Sequence, residues 1–352
     1  MEKAKSRLGW PDVLRAFAAY SVLLAHLGSY SAYVSLFCFS YVIQLFFFVS
    51  GLFAAHRCAQ RPGELAVWLL RRLLIPYILL CGVNMAFYGI HRGLPFGGMA
   101  LDCLLAVRNK MFAPVLWYLP CLIVMIAVYA LLRRLVKNRF ALLALCCAVS
   151  LAFRIFKEQS AWFWSADSAL MYLFYYALGD FLMPSLQRLA AGGFHSLGRA
   201  GKRLLAALAA VCLALAAFSF RVLSPVDPIV LGDVSVKLLI FLSSAGDILL
   251  LAGLAILLQS VRPLQRVGQC TLVISMTQSV TSWLFVNVSW LLGITWSIWA
   301  DYQVLFYGAA LLAFAAVLAR PFHLLYALVP SVRRRSPSQD EDDAEGTAAA
   351  LI

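Results

Sequence analysis

The chain has 352 residues, 63% of them apolar and 13% charged, and its mean hydropathy is +0.86. A soluble globular domain is excluded, because such domains are about half apolar and about 25% charged. The formal net charge of +13 would suit a nucleic-acid partner, but the placement of the basic residues explains this charge without one.

Apolar segments of about twenty residues follow one another along the chain, and this pattern predicts an all-α polytopic membrane protein. About ten transmembrane helices are expected, at residues 11–29, 34–55, 65–89, 114–132, 140–156, 168–185, 204–222, 234–258, 268–290 and 303–326. Residues 1–330 then form an integral-membrane domain. Residues 331–352 are basic, then acidic, then rich in alanine, and are predicted to be a disordered cytoplasmic tail.

The Lys and Arg residues predict how these helices are oriented. Most of the 29 basic residues fall in alternate connections, and both terminal segments belong to this basic set. Because cytoplasmic loops retain positive charge, both termini are predicted to be cytoplasmic. The first apolar segment lacks a small-residue cleavage site and is expected to be a retained span. The nine cysteines are scattered, and no metal site is predicted.

Three ionisable residues, Asp12, Arg15 and His26, interrupt the first predicted helix. Ionisable side chains inside a membrane are costly, so each needs a partner or a function. Eleven residues at about 100° each make roughly three turns, so Arg15 and His26 share one face, about 16 Å apart. The sequence therefore predicts a slot between this cation and this imidazole, lined by the small residues Ala18, Ala19, Val22 and Ala25.

Four motifs in the first third of the chain resemble those of one family. The first is Asp12-x-x-Arg15 followed after ten residues by His26, and the second is FFVSG at residues 47–51. An Arg-Arg pair at 71–72, shortly before Pro-Tyr at 76–77, and WYL at 117–119 follow in order. Together these motifs resemble the acyltransferase-3 membrane proteins, which O-acylate cell-surface sugars in bacteria.

The resemblance implies transfer of an acyl group, acetyl in particular, from cytoplasmic acyl-CoA to a hydroxyl of a cell-surface or lipid-linked carbohydrate. The implied partners are acyl-CoA, the carbohydrate acceptor and the lipid bilayer, and the implied location is the bacterial cytoplasmic membrane. No permanently bound cofactor is expected, because acyl-CoA is a co-substrate. Two alternatives stay open: a transporter or flippase, for which many spans and buried charges are equally ordinary, and a catalytically inactive relative.

Catalysis is assigned to His26 on this resemblance, and donor binding to Arg15, Arg71 and Arg72. An imidazole titrates near neutrality and can act as a general base or as a transient acyl carrier. Guanidinium groups suit the donor's phosphates, although Arg15 could instead pair with the carboxylate three residues earlier and the other two could extend to lipid headgroups. The family more often spaces two arginines three apart. Leu69 stands at the first of these positions, so Arg72 is the better match.

Structural or positioning roles are predicted for Asp12, Ser50, Gly51, Trp117, Tyr118 and Gln278. The Ser-Gly pair could serve close helix packing, and the Trp-Tyr pair could lie in the interfacial aromatic belt or stack on a sugar ring. Gln278 stands where many relatives have a histidine. Because glutamine forms hydrogen bonds but cannot titrate, a positioning role is predicted for it.

The longest predicted outer connection spans residues 91–113. It contains an amphipathic piece, Met99–Val107, which is expected to lie on the membrane or to re-enter it. Connections of this length often act as lids or as substrate-binding elements.

Overall fold

The computed structural model describes residues 8–156, 161–192, 198–223 and 234–327, and in these ranges the chain forms helices and no strand. The predicted tail, residues 331–352, lies outside the described part. The helices of the first half are α1 (Trp10–Ala25), α2 (Ala32–Gly51), α3 (Ala54–Cys58), α4 (Pro62–Leu69), a π-helical turn (Leu70–Leu74), α5 (Ile75–Arg92), α6 (Phe96–Leu105), α7 (Tyr118–Leu135) and α8 (Arg139–Phe156).

The second half begins with a short 3₁₀ turn, Phe163–Ser165. Its helices are α9 (Ala166–Met171), α10 (Leu173–Gly192), α11 (Arg199–Leu223), α12 (Val234–Leu257), α13 (Arg262–Gln269), α14 (Thr271–Met276), α15 (Gln278–Leu291) and α16 (Asp301–Ala327).

Seven helical segments of the described chain are long and apolar enough to cross a bilayer, and the bent pair α9–α10 would make an eighth. The seven are α2, the continuous stretch Pro62–Arg92, α7, α8, α12, and the greater parts of α11 and α16. A chain with this many spanning helices is a multi-pass membrane protein. The predicted all-α polytopic class is therefore confirmed.

Besides the sixth predicted span, which is the bent pair α9–α10, two of the ten predicted spans differ from single long helices. The first is α1, which has only 16 residues, and the ninth is divided among α13, α14 and α15. At the second division, the Thr277 hydroxyl donates to the Val273 carbonyl oxygen at 2.8 Å. Threonine hydroxyls that bond to the preceding turn compete with the helical backbone and bend helices. Hydropathy averaged over a window does not reveal such a break.

Helix α1 lies at the centre of the fold. Trp10, Val13, Leu14 and Ala18 have no exposed surface, and the helix packs against α2, α12, α13, α14 and α16. Most residues of α1 are buried against these neighbours, so protein and not lipid surrounds the helix. The polar residues of α1 are therefore placed in a protein environment, and their chemistry depends on the neighbouring helices.

Two glycines let α2 and α10 cross in direct backbone contact. A Cβ atom on Gly51 would overlap the carbonyl oxygen of Tyr176, and one on Gly179 would overlap that of Phe48. Small residues at helix crossings allow this approach in membrane proteins. The crossing fixes the position of Ser50, whose hydroxyl lies beside the site described next.

Candidate functional site

A cavity of about 190 Å³ lies at the His26 end of α1. Its walls come from α1, α2, the connection between α6 and α7, and α14. Most of the lining is apolar, and the polar groups that enter it belong to His26, Arg108, Asn109, Tyr118 and Ser275. We call this space the His26 cavity. An apolar pocket with a few convergent polar groups is the usual form of a small-molecule site.

His26 terminates α1, and its backbone N–H lies 3.1 Å from the Leu23 carbonyl oxygen. Its half-buried ring meets the edge of Phe39, with 5.2 Å between ring centroids. No side chain or carbonyl of the described residues forms a hydrogen bond with the imidazole. The described protein therefore leaves the imidazole free to accept a proton from a ligand in the cavity, as a general base does.

Ser275 is a buried polar group without a hydrogen-bond partner among the described residues. Its side chain is 1% exposed, it lines the His26 cavity, and its Oγ has no hydrogen bond within the described structure. Leaving a buried hydroxyl unpaired is costly, so Ser275 is a candidate donor to a bound ligand. No motif in the sequence indicated Ser275, although it lies one turn before Gln278.

Arg108 is the cation of the His26 cavity. Its Nη1 donates to the Tyr172 hydroxyl at 2.7 Å, and its guanidinium lies 5.0 Å from the ring centroid of Trp117 and 5.4 Å from that of Tyr172. These partners are neutral and attract the cation through their rings. No motif in the sequence indicated a role for Arg108. The sequence showed only that a basic residue lies in a connection predicted to be on the outer side of the membrane.

Trp117 and Tyr118 both line the His26 cavity. Trp117 is 5% exposed, so it is enclosed by protein, unlike the lipid-facing aromatic residues of an interfacial belt. The Tyr118 hydroxyl lies 3.3 Å from the Ser50 hydroxyl and donates to the Phe46 carbonyl oxygen at 3.3 Å. The structure thus brings four residues singled out in the sequence, His26, Trp117, Tyr118 and Ser50, to one site.

Arg15 lies elsewhere, towards the opposite end of α1. Its Nη1 donates to Asp12 Oδ1 at 2.7 Å, and its guanidinium lies 5.2 Å from the ring centroid of Phe53. Ala18 and Ala19, which should line a slot, have no exposed surface. The expectation of an open slot from Arg15 to His26 is therefore wrong along this part of α1, because neighbouring helices cover it.

Arg71 and Arg72 lie in the π-helical turn between α4 and α5. The turn is closed by a bond from the Ile75 N–H to the Leu70 carbonyl oxygen, and Pro76 follows without an N–H of its own. Arg71 is half-buried and Arg72 is exposed. Neither arginine lines the His26 cavity. π-Helical turns often occur at functional sites, so the turn leaves a role for this pair open.

Gln278 begins α15 and is 3% exposed. It follows closely on Ser275 and Met276, which line the cavity. The described residues provide no hydrogen bond to its amide. Its side chain is therefore buried close to the site, and no partner in the described part of the chain explains a positioning role.

A second cavity, of about 580 Å³, lies between α13 and α16 and is lined by Arg266, Arg320 and Gln269. The Gln269 amide donates to Asp12 Oδ2 at 3.5 Å. This space, which we call the Arg266 cavity, therefore adjoins the Asp12 end of α1. In the described residues no group of three or more His, Cys, Asp and Glu side chains could hold a metal ion.

A comparison with protein families agrees with these observations. A family model described as an acyltransferase domain, acyltransferase family 3, matches residues 8–320. Comparisons with curated proteins and with solved structures found no match. The matched range includes α1, the His26 cavity and the Arg266 cavity, and it confirms the resemblance seen in the sequence motifs. The chain therefore belongs to acyltransferase family 3, and its acyltransferase domain extends over nearly all of its length.

Proposed function

We propose that the protein transfers an acetyl group from acyl-CoA to a hydroxyl of a cell-surface or lipid-linked carbohydrate. The observation that carries this proposal is the imidazole of His26, which faces a cavity within the acyltransferase domain without a hydrogen bond from the described protein. We further propose that the chain lies in the cytoplasmic membrane of a bacterium with both termini in the cytoplasm.

The chemistry follows from the groups in the cavity. His26 accepts the proton of the acceptor hydroxyl while the hydroxyl oxygen attacks the thioester carbonyl. The Ser275 hydroxyl donates a hydrogen bond to the carbonyl oxygen as negative charge develops on it. The carbon–sulfur bond then breaks, His26 returns the proton to the departing sulfur, and the products are a carbohydrate ester and free CoA.

The size of the cavity sets what it can hold. Its volume of about 190 Å³ is below the roughly 300–1,000 Å³ of pockets that enclose a drug-sized ligand. It therefore accommodates the acyl group and one part of a sugar, while the nucleotide end of the donor lies elsewhere. The aromatic face of Trp117 is a suitable surface for a sugar ring.

The nucleotide end of acyl-CoA carries phosphates, for which arginine is a suitable partner. We propose Arg15, Arg71 and Arg72 as donor-binding residues. Arg266 and Arg320 are further candidates, because they line a larger cavity beside the Asp12 end of α1. In the proposed orientation this end of α1 is cytoplasmic, which is where acyl-CoA is found.

A transfer assay in sealed proteoliposomes tests the proposal. Radiolabelled acetyl-CoA is supplied on one side and a panel of glycans on the other, and label in the glycan fraction is measured. We expect label to enter a glycan only when both substrates are present. Movement of a glycan across the bilayer without acetyl-CoA, and without any labelled ester, would instead indicate a transporter.

Substitution of Ser275 should separate catalysis from stability. Ser275→Ala is expected to lower kcat about 100-fold, as loss of one oxyanion donor does. Its thermal stability should stay equal or rise, because the change removes an unpaired buried hydroxyl. Steady-state kinetics and thermal unfolding of the same preparation measure both effects. Unchanged kcat would show that Ser275 takes no part in the reaction.

Substitution of Arg15 tests the donor assignment. If Arg15 binds donor phosphate, Arg15→Lys should raise the donor KM about tenfold, because a charge-assisted hydrogen bond contributes about 1.5–3 kcal/mol. If it only pairs with Asp12, the donor KM should scarcely change, since lysine keeps the charge. The control is Arg262→Lys, an exposed arginine of α13 that lines neither cavity.

A further inference from the structure

The cation of the His26 cavity has no anionic partner in the described protein. The described ion pairs join Arg15 to Asp12 and Arg133 to Asp180, and Arg108 takes part in neither. Its guanidinium is half-buried beside an apolar cavity, and the hydrogen bond and ring contacts that it forms with the described residues involve the neutral groups of Trp117 and Tyr172. A guanidinium beside an apolar cavity without a counter-charge is able to bind an anion that enters the cavity.

The backbone around Arg108 includes left-handed conformations, which residues other than glycine rarely adopt. The described non-glycine residues with positive φ are Ala106, Asn109, Trp164 and Ser165, at 46°, 65°, 53° and 49°. All of them lie in the two connections that flank the guanidinium. Such strain persists only where surrounding contacts impose it, and it clusters at ligand sites.

Three hydrogen bonds lock these two connections together. The Arg108 backbone N–H donates to Ser165 Oγ at 2.8 Å, and the Ser165 hydroxyl donates to the Ala106 carbonyl oxygen at 2.7 Å. The Trp164 indole N–H donates to the Leu104 carbonyl oxygen at 3.1 Å. Together, the strained backbone and these hydrogen bonds direct the Arg108 side chain into the cavity.

The shape of the site indicates which anion it takes. A guanidinium that lies over aromatic rings still presents N–H groups along its edge, and these match the paired oxygens of a carboxylate or phosphate. The proposed function places the nucleotide end of the donor at the Asp12 end of α1, away from Arg108, so the donor's phosphates are poor candidates. The remaining reactant is the acceptor.

We propose that Arg108 binds a carboxylate or phosphate carried by the acceptor, so that the preferred substrate is an acidic carbohydrate. This inference rests on the proposed function. The anionic group lies against Arg108, a sugar face lies against Trp117, and a neighbouring hydroxyl is thereby presented to His26. Arg108 is thus a specificity-determining residue of the site.

Binding and transfer with three probes test the inference. The probes are a trisaccharide of hexuronic acid, its carboxyl-reduced neutral counterpart, and the neutral form carrying one phosphate. We expect the protein in nanodiscs to bind at least one acidic probe about ten- to 100-fold more tightly than the neutral one, because a charge-assisted hydrogen bond contributes about 1.5–3 kcal/mol. The acidic probe that binds more tightly shows whether the site prefers a carboxylate or a phosphate.

The variant Arg108→Gln should bring the ratio of acidic to neutral affinity close to one, and Arg108→Lys should restore part of it. The control is Arg92→Gln, because Arg92 also lies over a tyrosine ring, at 5.3 Å, but does not line the cavity. It should keep the wild-type ratio. Thermal unfolding of each variant shows whether it is folded.

Equal binding of all three probes by the wild type would overturn the inference. So would an equal loss of turnover with acidic and neutral acceptors in Arg108→Gln, because that result would mean that Arg108 stabilises the reaction itself. If neither these probes nor any glycan of the panel is acylated, the proposed function fails, but the binding ratios still decide the role of Arg108. If acidic and neutral probes are acylated equally, the proposed function stands and the inference fails alone.

Discussion

Replacement of His26 by alanine is expected to lower turnover by roughly 10² to 10⁴, the effect typical of a lost general base. The imidazole has no hydrogen bond to the described protein. The main interaction that its removal eliminates is therefore the edge contact with the Phe39 ring. Donor affinity and thermal stability should change little. Initial rates at saturating donor, with the yield of folded protein measured alongside, provide the comparison.

A second histidine serves as the control for this experiment. His91 is exposed on α5, where it stacks against Phe87 and lies against Trp283, and it does not line the His26 cavity. His91→Ala should keep normal turnover. A His26→Ala protein with normal yield and normal turnover would contradict the proposed mechanism.

Replacement of Gly268 by alanine is expected to abolish most of the folded protein. A Cβ atom at this position would overlap the carbonyl oxygen of Asp12, and neither backbone can move away easily where α1 packs against α13. Overpacking in a core typically costs about 1–3 kcal/mol. A clash between two backbones should exceed this range, in a protein whose total stability is of the order of 5–15 kcal/mol.

The matched control is Gly253→Ala, in the middle of α12. No atom lies within 4 Å of the Cβ that would be added there, and alanine favours a helix over glycine by about 1 kcal/mol. The yield of monodisperse protein after detergent extraction, and its unfolding temperature, should therefore fall for Gly268→Ala only. Wild-type behaviour of Gly268→Ala would mean that α1 and α13 are not in close contact.

The sequence allowed the fold class to be predicted because each apolar segment carries its own signal. Every one of the ten predicted spans coincides with helical structure, including the short α1 and the divided ninth segment. The divisions at Cys270 and Thr277 could not be predicted, because they depend on local hydrogen bonds of threonine hydroxyls. The orientation of the termini stays a prediction.

The candidate site was only partly predictable. His26, Trp117 and Tyr118 stood out because they belong to motifs, and the structure places them around one cavity. Arg108 and Ser275 carried no motif. The role of Arg108 depends on loops with positive φ, and that of Ser275 depends on a missing hydrogen bond. These are properties of the folded chain, and the spacing of residues along one helix does not predict them.

The slot expected along α1 shows the limit of periodicity. Arg15 and His26 do share a helix, but a shared face says nothing of what covers it. Ala18 and Ala19 are small and fully buried, so they allow close packing of neighbouring helices. Small residues on a helix predict either an open space or a close contact, and only the positions of the neighbours decide between them.

The amounts of free CoA and of acylated glycan that the purified protein produces test most directly whether the His26 cavity carries out acyl transfer. Both would be measured by mass spectrometry over one time course, with acetyl-CoA and the glycan panel as substrates. We predict that the two products form in equal amounts with the wild type and that both are lost together in folded His26→Ala. Absence of acylated glycan with every acceptor, or equal product from folded His26→Ala, would contradict this mechanism.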